Sequence, residues 1–224
     1  MTLPTHRSTR PRAPVSCPFC TDRHYPWTWP SPSTLSRVVV LFVCTANICR
    51  SPMAAAHLNL VAAELEQPVT VFSAGLLEGG HPVSRDTVGA MAPYGVDLAA
   101  HRSATLTAAA VASADLVLGL ERRHAREAIL LVPDVWNRTF TLKELVRRGE
   151  QAGARRPGQP LAGWLAALLG DRERTDLIGR SVEDDVVDPL GAGPAAYRAT
   201  ATELADLVRR LARLLWSGAG RADN

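Results

Sequence analysis

Two cysteine–arginine pairs in this chain share the spacing Cys-x5-Arg: Cys44 with Arg50, in Cys44-Thr-Ala-Asn-Ile-Cys-Arg50-Ser51, and Cys17 with Arg23. A thiol and a guanidinium held at one point can carry out phosphoryl chemistry. The thiolate attacks phosphorus while the planar guanidinium grips two of its oxygens. The spacing is weak on its own, and context separates the two pairs. Cys17 precedes Pro18 in a proline-rich stretch with no strand before it and no helix after it. Cys44 ends the apolar, β-branched run Val38-Val-Val-Leu-Phe-Val43, the pattern of a strand buried on both faces. After it, Ser51-Pro52 predicts a helix start with Ser51 as N-cap and Pro52 at the first helical position. Ligands of open α/β sheets sit at the carboxyl ends of strands, so only Cys44 stands in the right place. A loop wound over a helix N-terminus aims several backbone N–H groups at one spot, and the field that binds phosphate there also favours a thiolate.

Such a reaction needs a proton for the leaving group and then an activated water, and one carboxyl can serve both steps in turn. Glu183-Asp184-Asp185-Val-Val-Asp188-Pro189 offers four candidates. Residue types alone do not choose among them, because clustered carboxylates each favour holding a proton. Pro189 fixes the backbone after Asp188. His57, His81 and His124 are read as non-catalytic, and pattern alone makes His101 a surface or helix-end histidine.

The elements that must position these groups follow from periodicity. The first helix runs through Met53, Ala54, Ala56, Leu60, Val61 and Leu65 and is stopped by Pro68. A second strand covers Val69–Ser73 and ends at Ala74-Gly75. A third covers Ala114–Leu118 and leads into a helix from Glu121 to Leu131. A weaker fourth strand is expected near Val135–Phe140. Residues 150–160 read as a Gly-, Arg- and Pro-rich surface loop, followed by a short helix marked by Trp164, Leu165 and Leu168. The final helix, from Pro194 to Trp216, repeats Tyr197, Leu204, Leu207, Val208, Leu211 and Leu215 on one face. Strands alternating with helices predict an α/β domain with a parallel sheet.

At 224 residues the chain predicts one domain with an appendage. Residues 1–36 hold seven prolines and four arginines (Arg7, Arg10, Arg12, Arg23) against the single acid Asp22, and they lack periodicity. They read as a disordered extension, and a start assigned too far upstream would look the same. The phosphoryl-handling domain is expected over residues 37–218, with a tail at 219–224. The formal charge of +3 is that of the extension, which leaves no basic face to argue for nucleic acid. No apolar stretch is long enough for a bilayer and no signal-peptide core is present, so no membrane role and a reducing, cytoplasmic setting are expected. Cysteines there are catalytic or metal-binding rather than disulfide-forming. Cys17-Pro-Phe-Cys20 with His24 supplies three of the four ligands that zinc normally needs, and no metal site is assigned.

Val40-Leu-Phe-Val-Cys44-Thr-Ala-Asn47-Ile-Cys49-Arg50-Ser51-Pro52-Met53-Ala54 resembles the signature of the low-molecular-weight protein tyrosine phosphatases. The likeness continues through Ser73-Ala-Gly75, Gly95-Val-Asp-Leu-Ala-Ala-His101 and Ala114-Asp115-Leu-Val-Leu118 to Asp188-Pro189. It implies a four-stranded parallel sheet flanked by helices, a phosphocysteine on Cys44, phosphate binding by Arg50, and no metal or cofactor. The family places its general acid in an Asp-Pro pair, which selects Asp188. It also implies a phosphate loop of Thr45, Ala46, Asn47, Ile48 and Cys49, with Asn47, Ser51, Ser73 and His101 forming the network that holds its shape. Ser51 would in addition donate to the departing thiolate. Spacing and family together suggest a protective Cys44–Cys49 disulfide under oxidation. The implied partner is a phosphorylated protein, a tyrosine kinase or its target.

Two positions depart from the family. Ala46 replaces a frequent glycine, which is costly where a positive φ is required. Leu190 replaces a frequent aromatic after the Asp-Pro pair, which weakens the case for phosphotyrosine, whereas Ile48 resembles the tyrosine-directed members. Two other functions remain open at this level. An arsenate reductase would have to use an external small thiol, since no cysteine follows Cys49. A non-catalytic phosphate-binding module would have no need of Cys44 or Asp188.

Overall fold

Alternate side chains of the first strand feed two separate cores. In β1 (Val38–Cys44), Val40, Phe42 and Cys44 join one buried cluster and Leu41 and Val43 the other. The two-residue period of a strand puts neighbours on opposite faces, and both faces here are covered by helices, so the run is apolar throughout. The computed structural model describes residues 37–217. The expectations for the 1–36 extension, including Cys17, Cys20 and His24, and for the 219–224 tail lie outside the described residues.

After β1 the chain forms α1 (Arg50–Glu64), β2 (Val69–Gly75), α2 (Arg85–Met91), α3 (Ala108–Ser113) and β3 (Leu116–Gly119). It continues through α4 (Arg122–Leu131), β4 (Thr139–Thr141), α5 (Leu142–Ala152), α6 (Leu161–Leu169) and α7 (Pro194–Leu215). The strands lie in the order β2-β1-β3-β4, all parallel, as the resemblance implies. Residues of α1, α2, α5, α6 and α7 pack with Val40 and Phe42 on one face, and those of α3 and α4 with Leu41 and Val43 on the other. β1 therefore leads into a helix on one face, while its neighbour β3 leads into a helix on the opposite face. The two connections part at the carboxyl edge, and the crevice they leave is where doubly wound sheets place their ligands.

Several boundaries differ from the sequence reading. The helix after Cys44 begins one residue before the predicted cap: Cys49 is the N-cap and makes no side-chain capping bond, and Ser51 is already helical. The loop between β1 and α1 takes over the capping position through Cys49, and the Ser51 hydroxyl has another partner. The expected strand at Val135–Phe140 is mostly a 3-10 turn (Pro133–Arg138), which leaves only Thr139–Thr141 for β4. The helix α5, unread from sequence, runs into the 150–160 loop. It is started by a capping box in which Thr141 accepts from the Glu144 N–H and Glu144 accepts from the Thr141 N–H.

Candidate active site

The loop between β1 and α1 winds around the Cys44 sulfur. The Asn47 N–H donates to Sγ at 3.2 Å, and the Ser51 hydroxyl lies 3.0 Å from it. The N–H groups of Ala46, Ile48 and Cys49 donate to no acceptor among the described residues. With the first turn of α1 beside them, they form a concave set of donors suited to an anion. Asn47 is the pivot of the loop. Its φ of 56° is left-handed, a conformation that asparagine tolerates better than most residues. Its side-chain amide donates to Ser51 Oγ and Ser73 Oγ, both at 2.8 Å, while its Oδ1 accepts from the Ala104 N–H at 2.8 Å. His101 Nε2 reaches the Asn47 carbonyl at 3.0 Å. Burial is the largest influence on this imidazole and holds its pKa below the usual range, and because a carbonyl only accepts, it is Nε2 that carries the proton and donates. The structure thus brings together Asn47, Ser51, Ser73 and His101. Ala46 does not have a positive φ, so the cost expected from losing a glycine there is not incurred.

The tight approach falls instead on Gly75, at the end of β2. A Cβ there would stand 2.8 Å from the backbone of both Ala46 and Asn47. Since the obstacle is main chain, Gly75→Ala must displace the loop. We expect a stability loss of about 1–3 kcal/mol and weakened phosphate binding, read by chemical denaturation and phosphate titration. Unchanged stability and affinity would show that the loop is not held against β2.

Arg50 leaves the first turn of α1 almost wholly buried, with 1% of its surface exposed. Nη1 pairs with Glu121 and donates to the Val186 carbonyl at 2.9 Å. Nη2 lies 2.6 Å from Asp188 Oδ2 and 3.4 Å from Thr45 Oγ1. Nε is buried with no hydrogen-bond partner. Nη1 is thus committed to Glu121 and Val186, Nη2 is held by Asp188 and Thr45, and Nε alone is unpartnered. A ligand taking the bidentate Nε–Nη2 edge must share or replace the Asp188 bond. Glu121 was not singled out from the sequence. It is buried at the mouth of β3, where Gly119 allows the chain to turn: a Cβ on that glycine would sit 2.6 Å from the Ala125 nitrogen. Burial of Glu121 opposes its charge, yet the hydrogen bond and charge of Arg50, joined by the charge of Arg123, hold its carboxyl below the ordinary range. The available signal was its place, a carboxylate directly after a strand that neighbours β1.

Thr45 is held at the rim, where its hydroxyl meets Arg123 Nη2 and, at 3.1 Å, His124 Nε2. His124 is fully buried, and desolvation lowers its pKa to about 3, so the ring is neutral.

The four carboxyls of the acidic run have different surroundings. Asp184 is paired with Arg122 at 2.7 Å and Arg147 at 2.8 Å, and these partners overcome burial to lower its pKa. Asp185 accepts from the backbone N–H groups of Arg122 and Ser181 at 2.7 and 3.0 Å. Glu183 is exposed. Asp184 and Asp185 anchor the segment to α4 and α5 rather than crowding their charges together. Asp188 alone reaches Arg50; it keeps 37% of its side-chain surface exposed and accepts from the Leu190 N–H at 3.2 Å. Leu190 is 61% exposed beside it.

Cys49 is buried, and with Cys44 it is a free thiol among the described residues. Burial pushes its thiol pKa up. Among the described residues no group of three or more His, Cys, Asp or Glu side chains is arranged to hold a metal ion. Nor is any helix there long and apolar enough to cross a membrane.

A sequence profile of the low molecular weight phosphotyrosine protein phosphatases matches residues 39–157. A probable low molecular weight protein-tyrosine-phosphatase, EpsP, from Ralstonia solanacearum is 37% identical over 107 residues, which is 47% of this chain and 71% of that protein. A protein-arginine-phosphatase from Geobacillus stearothermophilus is 31% identical over 178 residues, covering 79% of this chain and 95% of the relative. Among solved structures, a low molecular weight protein tyrosine phosphatase from T. tengcongensis is similar with a TM-score of 0.61. It shares 30% identity, and the match covers 80% of this chain and 99% of that one. The chain belongs to the low molecular weight phosphotyrosine protein phosphatase family.

Proposed function

We propose that the protein hydrolyses phosphotyrosine in proteins through a phosphocysteine on Cys44. The observation that carries this reading is the bond between Asp188 and Arg50, which fixes a partly exposed carboxyl at the mouth of a loop whose floor is the Cys44 sulfur.

A phosphoryl group would accept from the loop N–H groups and from the Nε–Nη2 edge of Arg50, with Glu121 and the Val186 carbonyl keeping the guanidinium in register. It would take over the Nη2 bond that Asp188 holds here and so release that carboxyl toward the leaving group. The Cys44 thiolate attacks phosphorus, the P–O bond to the leaving group breaks, and Asp188 gives that oxygen its proton. Asp188, now a carboxylate, takes a proton from water, which attacks the phosphocysteine. The P–S bond breaks and the thiolate leaves, stabilised by the Ser51 hydroxyl and the Asn47 N–H. Both donors also favour the thiolate before attack, so the nucleophile and the leaving group share one environment. Thr45, Ala46, Ile48 and Cys49 supply the backbone of the cradle, while Ser73 and His101 fix Asn47. Residues 37–218 form the phosphatase domain in this reading, and the partner is a phosphorylated protein.

A second substrate reading, phosphoarginine, has specific support. The Geobacillus relative, a protein-arginine-phosphatase, matches along nearly its full length, and Leu190 offers an aliphatic rather than an aromatic surface beside Asp188. Parallel kcat/KM measurements on peptides carrying phosphotyrosine and phosphoarginine separate the two. The expected result is a preference for phosphotyrosine of about tenfold or more, the discrimination that one or two kcal/mol of differential contact provides. A preference for phosphoarginine would replace the substrate while leaving the phosphocysteine chemistry in place.

A further inference from the structure

We propose that Thr87 is a positioning residue for the phosphate loop: its hydroxyl sets the orientation of the Ile48–Cys49 peptide, and through it the aim of one anion-binding N–H. The inference rests on the reading of this loop as a phosphate site.

Thr87 is fully buried in α2, outside the loop. Its hydroxyl meets three groups: the Ile48 carbonyl at 3.0 Å, Ser84 Oγ at 2.9 Å and Cys49 Sγ at 3.4 Å. One hydroxyl has one proton. A carbonyl can only accept, so the Thr87 proton goes to Ile48 O. Ser84 and Cys49 then lie on the acceptor side of the Thr87 oxygen, and each also has the Tyr197 hydroxyl as a hydrogen-bond partner. Ser84 is itself fixed, as the N-cap of α2, by accepting from the Thr87 N–H at 3.1 Å. Tyr197, from α7, lies beside Ser84 and Cys49 and closes the group from the core side.

The consequence for the loop follows from peptide geometry. The chain has no cis bond among the described residues, and in a trans peptide the C=O and the next N–H point in opposite directions. Binding the Ile48 carbonyl outward to Thr87 turns the Cys49 N–H inward, toward the space bounded by Cys44 and Arg50. That N–H has no acceptor among the described residues, as expected of a donor reserved for a ligand. Asn47 fixes the first half of the loop through Ser73, Ala104 and His101, and Thr87 fixes the second half from α2. No short-range pattern announces this role, because Thr87 and Ile48 are 39 residues apart.

The test uses Thr87→Val, which keeps the volume and removes the hydroxyl, and Thr87→Ser, which keeps the hydroxyl. In a Cys44→Ser background, calorimetric titration with inorganic phosphate reads binding without turnover. Thr87→Val is expected to weaken phosphate about tenfold, and Thr87→Ser to stay within about twofold of its parent. With Cys44 intact, KM for an aryl phosphate and the inhibition constant for phosphate should rise together in Thr87→Val, with kcat changing less. Equal affinity in parent and Thr87→Val, or equal weakening by Val and Ser, would overturn the inference while leaving the phosphatase reading intact. Should Thr87→Val not fold, amide NMR of the Cys44→Ser protein decides. A Cys49 N–H resonance that moves downfield on phosphate addition supports the assignment, and one that does not move overturns it. A Cys44→Ser protein that binds no phosphate at all would take down the reading of the site and this inference together.

Discussion

Cys44→Ser is expected to lower aryl phosphate hydrolysis by about 10⁴-fold or more while leaving the fold and phosphate binding in place. The substitution changes one buried atom. Asn47 N–H and Ser51 Oγ still have an oxygen to meet where the sulfur stood, and Arg50 keeps its bonds to Glu121, Val186 and Asp188. What is lost is the ionised, polarisable nucleophile, because an alkoxide is far harder to form than a thiolate at neutral pH. A steady-state assay paired with phosphate titration separates the two effects. Retained turnover with retained binding would mean that the loop holds phosphate but another group attacks it.

Asp188→Asn should cost about 10²–10⁴-fold in kcat, the range of a positioned acid–base group. The loss should deepen as the leaving group becomes more basic, since an activated phenolate departs without a proton and an alkylphenolate does not. Asparagine keeps the size of the side chain and a dipole toward Arg50, so the effect isolates the proton rather than the geometry. Asp184→Asn is the useful contrast. Its carboxyl bonds Arg122 and Arg147 and lies away from Arg50, so it should reduce stability without the leaving-group dependence. A leaving-group dependence in Asp184→Asn, and none in Asp188→Asn, would reverse the assignment of the acid.

The parts of this site visible in the sequence are those written locally. The apolar run before Cys44, the spacing to Arg50 and the helix after it lie in one continuous stretch, and together they placed the candidate nucleophile at the end of a buried strand. The choice of Asp188 required the family, because four carboxyls within six positions look alike until their partners are seen. Three of them turn out to face solvent, arginines of α4 and α5, or backbone N–H groups. Glu121 and Thr87 were missed for a related reason. Each acts on a residue far along the chain, Glu121 on Arg50 across 71 positions and Thr87 on Ile48 across 39, and folding alone joins them. Ser51 was misassigned by a sound local rule. Serine before proline is a good cap, but here Cys49, in the loop before α1, takes the N-cap position and the serine turns to the sulfur. Other elements were lost too: α2 has seven residues, too few for a hydrophobic period to emerge, while α5, with eleven, went unread although its Thr141–Glu144 capping box was written in the sequence.

The central claim is that phosphorus passes through the Cys44 sulfur. Rapid acid quench of the protein during turnover of a phosphotyrosyl substrate, followed by mass spectrometry of the peptide containing Cys44, tests it directly. The account predicts a phosphoryl group on Cys44 that forms faster than inorganic phosphate appears and is absent in Cys44→Ser. Turnover with no phosphoryl group on Cys44 at any quench time, and none elsewhere in the loop, would contradict it and point to direct attack by water.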